Sequence, residues 1–196
     1  MEILKKIYNI LLDTMQTILL AASIFIVIYI FIFRPFQVSG ESMFPTFKDK
    51  EYVLTQINTI DLGAKKIYVG KLTRGDVIVF HAPLDPDKDF IKRIMAIPGD
   101  SIYIKDGFVF VNNNKVDESA YLKPDLKTYG GSFIQGEDPI IVPSDNYIVM
   151  GDNRSFSSDS REWGFLAKDK IIGKSKFVYW PVNAIRGINN PNSSTK

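Results

Sequence analysis

At 196 residues, with 45% hydrophobic and 23% charged side chains, the chain suits one ordinary domain plus a small appendage and is too short for two large domains. Its 24 basic and 22 acidic residues leave a net charge of +2, which excludes a disordered polyelectrolyte and a strongly basic nucleic-acid binder. The absence of cysteine removes disulfides, thiolate metal sites and cysteine nucleophiles. Its one histidine, His81, cannot build a histidine-rich metal centre, and any Ser-His-Asp triad would have to use that imidazole. No metal and no cofactor is expected.

In chain order, the first element is apolar. Met15 to Phe33 carries no charge, and Ile24 to Phe33 is apolar or aromatic on every face of a helix, whereas a core helix of so small a protein keeps a wet side. A run close to 20 residues long spans the hydrocarbon core of a bilayer. It exceeds a secretory h-region, and Arg34-Pro35-Phe36 stands where a cleavage site would need small residues, so it reads as an uncleaved anchor. Lys5, Lys6 and the terminal amine before the run, against Arg34 beyond it, place the N-terminus in the cytoplasm. The expected organisation is a cytoplasmic segment 1–14, a transmembrane helix 15–33, an extracytoplasmic domain 36–187 and a polar, frayed tail 188–196.

Past the anchor, short runs rich in β-branched and aromatic residues alternate with turns. Strands are expected at Tyr52 to Leu54, Asp76 to Phe80, Phe90 to Ile97, Ser101 to Ile104, Phe108 to Val111, Tyr147 to Met150 and Lys176 to Trp180. Asp106-Gly107 is a two-residue hairpin turn between two of them. With no amphipathic helix of similar strength, the fold class is mostly β: coiled antiparallel sheets or a partial barrel. A small inserted lobe covers about 101–146, within which Asp117 to Pro143, with three prolines and Gly130-Gly131, reads as an irregular excursion.

Three motifs fail on spacing. Ser193-Ser-Thr-Lys196 lies at the chain end without a companion motif, Gly173-Lys174-Ser175 has Lys168 where a phosphate loop needs glycine, and Asp85, Asp87 and Asp89 lack the closing glycine and glutamate of a calcium loop.

A serine and a lysine remain. Ser39-Gly-Glu-Ser42-Met-Phe-Pro-Thr46 follows the anchor directly, with Gly40 and Pro45 shaping a tight backbone. It is either a connector or a turn that exposes a hydroxyl among backbone N–H groups suited to an oxyanion. On a strand from Phe90 to Ile97, alternation puts Lys92 on one face with Phe90, Ile94 and Ala96. Either that lysine snorkels to water, or burial strips its ammonium of solvent and leaves a neutral amine able to take a serine proton. Gly151 to Gly164 packs many short polar side chains into one loop, where Asp159 and Arg161 are placed to pair.

Four blocks, Ser39 to Thr46, Arg74-Gly-Asp-Val-Ile-Val-Phe80, Lys92-Arg-Ile-Met-Ala-Ile-Pro-Gly-Asp100 and Gly151 to Gly164, follow the order and spacing of the type I signal peptidases. The chain resembles the bacterial form with one transmembrane segment, from the anchor to Pro181. The resemblance implies that Ser42 is the nucleophile and Lys92 the general base, that Ser157 orients the amine, and that Asp159 and Arg161 brace the loop. Relatives that carry a serine two residues before the nucleophile differ from this chain, which has Gly40 there, so its second oxyanion donor is a backbone N–H or a water.

The resemblance further implies β-strand addition of a secretory precursor between Val38 to Ser42 and Asp89 to Lys92. Shallow pockets would be lined by Phe36, Val38, Met43, Val79 and Ile91. The implied partners are signal-peptide precursors, the lipid bilayer of the cell membrane and the translocation machinery, with no nucleic acid. Phe44, Phe47 and Trp180 fit either the membrane interface or the core. The alternative functions are an inactive relative that only binds precursors and a purely structural membrane-tethered β-domain. The self-cleaving repressor proteases share the implied dyad but carry a DNA-binding region where this chain has its spanning segment.

Overall fold

The computed structural model describes residues 1–61, 63, 66–83, 85, 87–188 and 190–191, and falls into two units, Met1–Arg34 and Pro35–Lys196. The first unit is dominated by α1, Glu2–Phe31, which at 30 residues is about 45 Å long and apolar enough to cross a bilayer. It starts well before Met15 because the charged flank contains no glycine or proline to stop a helix. It also ends before Phe33: Pro35 forces the preceding residue toward extended geometry, and β1, Phe33–Gln37, begins at once.

In the second unit the chain continues with β2 (Tyr52–Ile57), β3 (Thr59–Asp61), β4 (Lys66–Tyr68), β5 (Val77–His81), β6 (Asp89–Ala96), β7 (Ser101–Lys105), β8 (Phe108–Val111) and β9 (Asn114–Lys115). Then follow β10 (Ile140–Ile141), β11 (Asn146–Met150), α2 (Ser160–Trp163), β12 (Leu166–Ala167), β13 (Ile171–Trp180) and β14 (Arg186–Gly187). The main sheet runs β1-β2-β13-β5-β6-β11-β12, with β14 also paired to β13. A second sheet, β10-β7-β8-β9, forms within residues 101–146, and β3 and β4 make a separate hairpin. The fold is thus mostly β and the main sheet does not close. The β7–β8 turn at Asp106-Gly107 has positive φ at both residues, as a two-residue hairpin requires. His81 ends β5 opposite Asp89.

Alternation sorts β11 cleanly. Tyr147 and Val149 join a core with Ile78, Phe80 and Ile94, while Ile148 and Met150 join a second core with Ile102, Val109 and Ile134. On β6 the expected alternation stops after Ile94. Ile148 pairs with Ala96 and Val149 with Ile94, so Met95 is an extra, bulged residue, and both Met95 and Ala96 enter the second core. A third core gathers Val38, Met43, Phe47, Val53, Val77 and Val178 beneath the Ser39–Thr46 segment. Phe47 is therefore a core residue, whereas Phe44 and Trp180 are about half exposed. Of the tail, residues 189 and 192–196 lie outside the described residues. Asn190 is not frayed, for its amide donates to Thr73, Arg74 and Asp76.

Candidate active site

The Ser39–Thr46 segment is a compact turn whose shape follows from its sequence. Gly40 takes φ +83°, and its N–H donates to the Asp49 carboxylate at 2.8 Å. The N–H of Phe44 returns to the Glu41 carbonyl and that of Phe47 to the Met43 carbonyl. Met43 and Phe47 pin the turn to the core beneath it and leave Ser42 half-buried at the top. Met43, 1% exposed, is therefore a buried anchor and not part of the groove lining.

Two groups from the 151–163 loop hold the same turn. Asn153 donates its N–H to the Ser42 carbonyl at 3.0 Å and its side-chain amide to the Glu41 carbonyl at 3.1 Å, and Thr46 donates its hydroxyl to Asp152. Gly151 permits this approach: a Cβ there would lie 2.2 Å from the Ser157 Oγ and 2.4 Å from the Ser42 carbonyl oxygen.

Lys92, on β6, is 4% exposed. Its Nζ stands 2.8 Å from the Ser42 Oγ and donates to the Ile91 carbonyl at 3.1 Å, and the Phe90 ring centroid is 5.2 Å away. Among the described residues no carboxylate is within ion-pair distance. Burial lowers its pKa from 10.5 to about 8, against the opposing fields of Asp159 and Asp152. A large fraction of the amine is thus neutral at mildly alkaline pH.

The loop behind the pair is a circuit of charges. Asp159 accepts from the Gly151 and Arg161 N–H groups and from the Arg161 guanidinium, which also donates to the carbonyls of Arg154, Ser157 and Tyr129. Arg93 makes a two-point pair with Asp152 at 2.7 and 2.8 Å. The Ser157 hydroxyl is buried and makes no hydrogen bond among the described residues. The bond to the Lys92 amine implied by the resemblance is absent among the described residues, and the hydroxyl lies against Gly151.

A cavity of about 200 Å³ opens beside Ser42 and Lys92. Phe36, Val38, Val79, Asp89 and Ile91 line it with Ser39 and Phe90 of the two flanking segments, joined by Gln37, Val53 and Ser158, for which the resemblance implied no groove role. Val53 follows from alternation on β2, where Val53, Thr55 and Ile57 are the buried face; for Ser158 the sequence holds no such signal. Both the turn and β6 contribute residues to this cavity, and His81 is not on its lining but pairs with Asp89 at 2.9 Å.

These parts define a β-sheet protein with a serine hydroxyl and a buried amine in contact at the end of a groove. The family described as signal peptidase, peptidase S26, matches residues 11–180. Among curated proteins, signal peptidase IB of Staphylococcus aureus (strain N315) is 35% identical over 93% of this chain and 97% of its own length. Signal peptidase I S of Bacillus subtilis (strain 168) is 36% identical over 91% and 94%. A crystal structure of a signal peptidase I from Enterococcus faecalis V583, 24% identical, covers 54% of this chain and 97% of its own with a TM-score of 0.46. The chain belongs to the signal peptidase family, peptidase S26, and is a peptidase by that membership.

Proposed function

We propose that this protein is a membrane-anchored serine endopeptidase that removes signal peptides from secretory precursors, with Ser42 as nucleophile and Lys92 as general base. The observation that carries the reading is the 2.8 Å separation of the Ser42 Oγ and a Lys92 Nζ that is buried away from carboxylates. The neutral amine takes the hydroxyl proton as the oxygen attacks the scissile carbonyl, and the ammonium so formed returns it to the departing amine. Water then hydrolyses the acyl-enzyme with the same amine as base.

The Ser42 N–H, which has no acceptor among the described residues, faces the developing oxyanion. The Gly40 N–H is already engaged by Asp49, so the second donor is a different backbone N–H or a water. Asp159 and Arg161 brace the loop, and Ser157 rotates about its Cα–Cβ bond to support the protonated amine. The precursor adds as an extended strand between Val38 to Ser42 and Asp89 to Lys92, its small side chains against Phe36, Val38, Val79 and Ile91. α1 anchors the enzyme in the cell membrane with Lys5 and Lys6 on the cytoplasmic side and the catalytic domain outside, beside the translocation machinery that delivers precursors.

The test is cleavage of a secretory precursor by the detergent-solubilised full chain. Ser42→Ala and Lys92→Ala each lower kcat by at least about 10³-fold, and kcat/KM of the parent rises with pH and levels off above about 8. A rate independent of pH, or an active Lys92→Ala enzyme, refutes the dyad.

A further inference from the structure

The irregular segment between β9 and β10 meets the catalytic loop at several points, at Thr128, at the Tyr129 carbonyl and, by charge, at Glu118. Glu118 receives the Arg154 guanidinium on both of its oxygens, and the Tyr121 hydroxyl donates to it at 3.0 Å. Arg154 is almost fully buried, with its side chain 1% exposed, and Glu118 is 12% exposed. The rest of the guanidinium is also engaged. Nε donates to the Gly151 carbonyl at 2.9 Å and Nη1 to the Thr128 hydroxyl. Thr128 is tied in turn to the β7–β8 turn through its N–H and the Gly107 carbonyl.

This anchorage joins the frame around Ser157. The Arg154 carbonyl accepts from Arg161 at 2.7 Å, Arg161 holds Asp159, and Asp159 holds the Gly151 N–H. Gly151 is the residue over which the Ser157 hydroxyl packs. On the other side of the same segment, the Tyr121 ring lies under the Arg93 guanidinium, 3.9 Å from centroid to carbon, next along β6 from Lys92. Glu118 thus touches, at one remove, the loop that carries Ser157 and the strand that carries Lys92.

The charges count evenly. Behind the dyad lie three buried guanidiniums, Arg93, Arg154 and Arg161, and three carboxylates, Asp152, Asp159 and Glu118; Asp152 and Asp159 are committed to Arg93 and Arg161. Without Glu118, Arg154 is a buried cation with no partner of its own, drawn toward Asp152, the carboxylate that positions Arg93 and Thr46.

We propose that Glu118 is a positioning residue for catalysis: by holding Arg154 and the Tyr121 hydroxyl, it fixes the 151–163 loop against Ser42 and Lys92. This rests on the Ser42/Lys92 reading given above. It makes the segment 117–128 a part of the active site's scaffold and not only a surface excursion.

The test uses the full chain in detergent and a peptide spanning a signal-peptide cleavage site, with kcat expressed per mole of folded enzyme from near-UV circular dichroism. Glu118→Gln keeps the shape and removes the charge. It lowers kcat about 10–100-fold while KM stays within about two-fold, and Glu118→Asp recovers part of the loss. A purely structural role changes the folded fraction and leaves kcat per folded molecule at the parent value, which overturns the proposal. If Glu118→Gln does not fold, Tyr121→Phe decides: it removes only the hydroxyl on Glu118 and keeps the ring on Arg93, and kcat falls about three- to ten-fold at constant KM. An unchanged kcat in Tyr121→Phe likewise overturns it. Failure of the dyad reading shows separately, as activity retained in Lys92→Ala.

Discussion

The two faces of β6 carry adjacent buried cations that the protein treats in opposite ways. Arg93, 1% exposed, points into the ion-pair network; burial works against its charge, but two hydrogen bonds to Asp152 and that carboxylate's field prevail and raise its pKa. Lys92, 4% exposed, points to the groove, meets a hydroxyl and a carbonyl, and burial lowers its pKa to about 8. Burial is common to both. A guanidinium stays charged and is matched by a carboxylate in contact; the amine has no such partner among the described residues, and its charged form is disfavoured by burial.

Removing the carboxylate from the Arg93 side breaks that contrast most severely. Asp152→Ala strands a buried guanidinium and releases Thr46, and should cost about 3–5 kcal/mol of stability, read by chemical denaturation.

On the other face the sign reverses. The folded state holds Lys92 with a pKa near 8 against the ordinary 10.5 of a solvated lysine, so the unfolded chain binds the extra proton, and the penalty on folding is fully present below about pH 8 and fades toward 10.5. Lys92→Met, which keeps the length and removes the amine, should therefore be inactive yet more stable by about 3 kcal/mol near pH 7. Denaturation curves should show the advantage shrinking as pH rises from about 8 to 10.5. An advantage that does not change with pH would mean that the amine is not desolvated in the folded state.

The smallest effect is expected at His81. It is about half exposed and does not line the groove, although its partner Asp89 does, and such surface pairs contribute roughly 0–1 kcal/mol. His81→Ala should leave kcat/KM within about two-fold in the precursor assay. A loss on the scale of Ser42→Ala would transfer the base from Lys92 to the imidazole.

Much of this architecture was written locally. A charge-free run falls within the long apolar helix α1, Asp106-Gly107 marks a hairpin because it tolerates positive φ at both positions, and Phe108 to Val111 emerges as a strand with the expected bounds. The motif blocks single out Ser42, Lys92, Asp159 and Arg161. Local pattern failed where a neighbour made the decision. The bulge at Met95 is a property of β11 pairing with β6, the burial of Met43 depends on Val53 and Val178 beneath it, and the Ser157 hydroxyl lies against Gly151 without a hydrogen bond among the described residues. Glu118 had no signal at all, standing in a stretch that reads as loop.

The sequence by itself determined which segments would be membrane-like, which would be strands, and which residue types were available for chemistry, because hydropathy, alternation and turn preference act over a few residues. Only the tertiary structure decided that an amine and a hydroxyl fifty positions apart meet at 2.8 Å, that one cation of a neighbouring pair lacks a carboxylate, and that an irregular segment closes the network behind them. Those outcomes depend on which groups the folded sheets exclude from water together, and desolvation is a property of the assembled surroundings and not of any short stretch of chain.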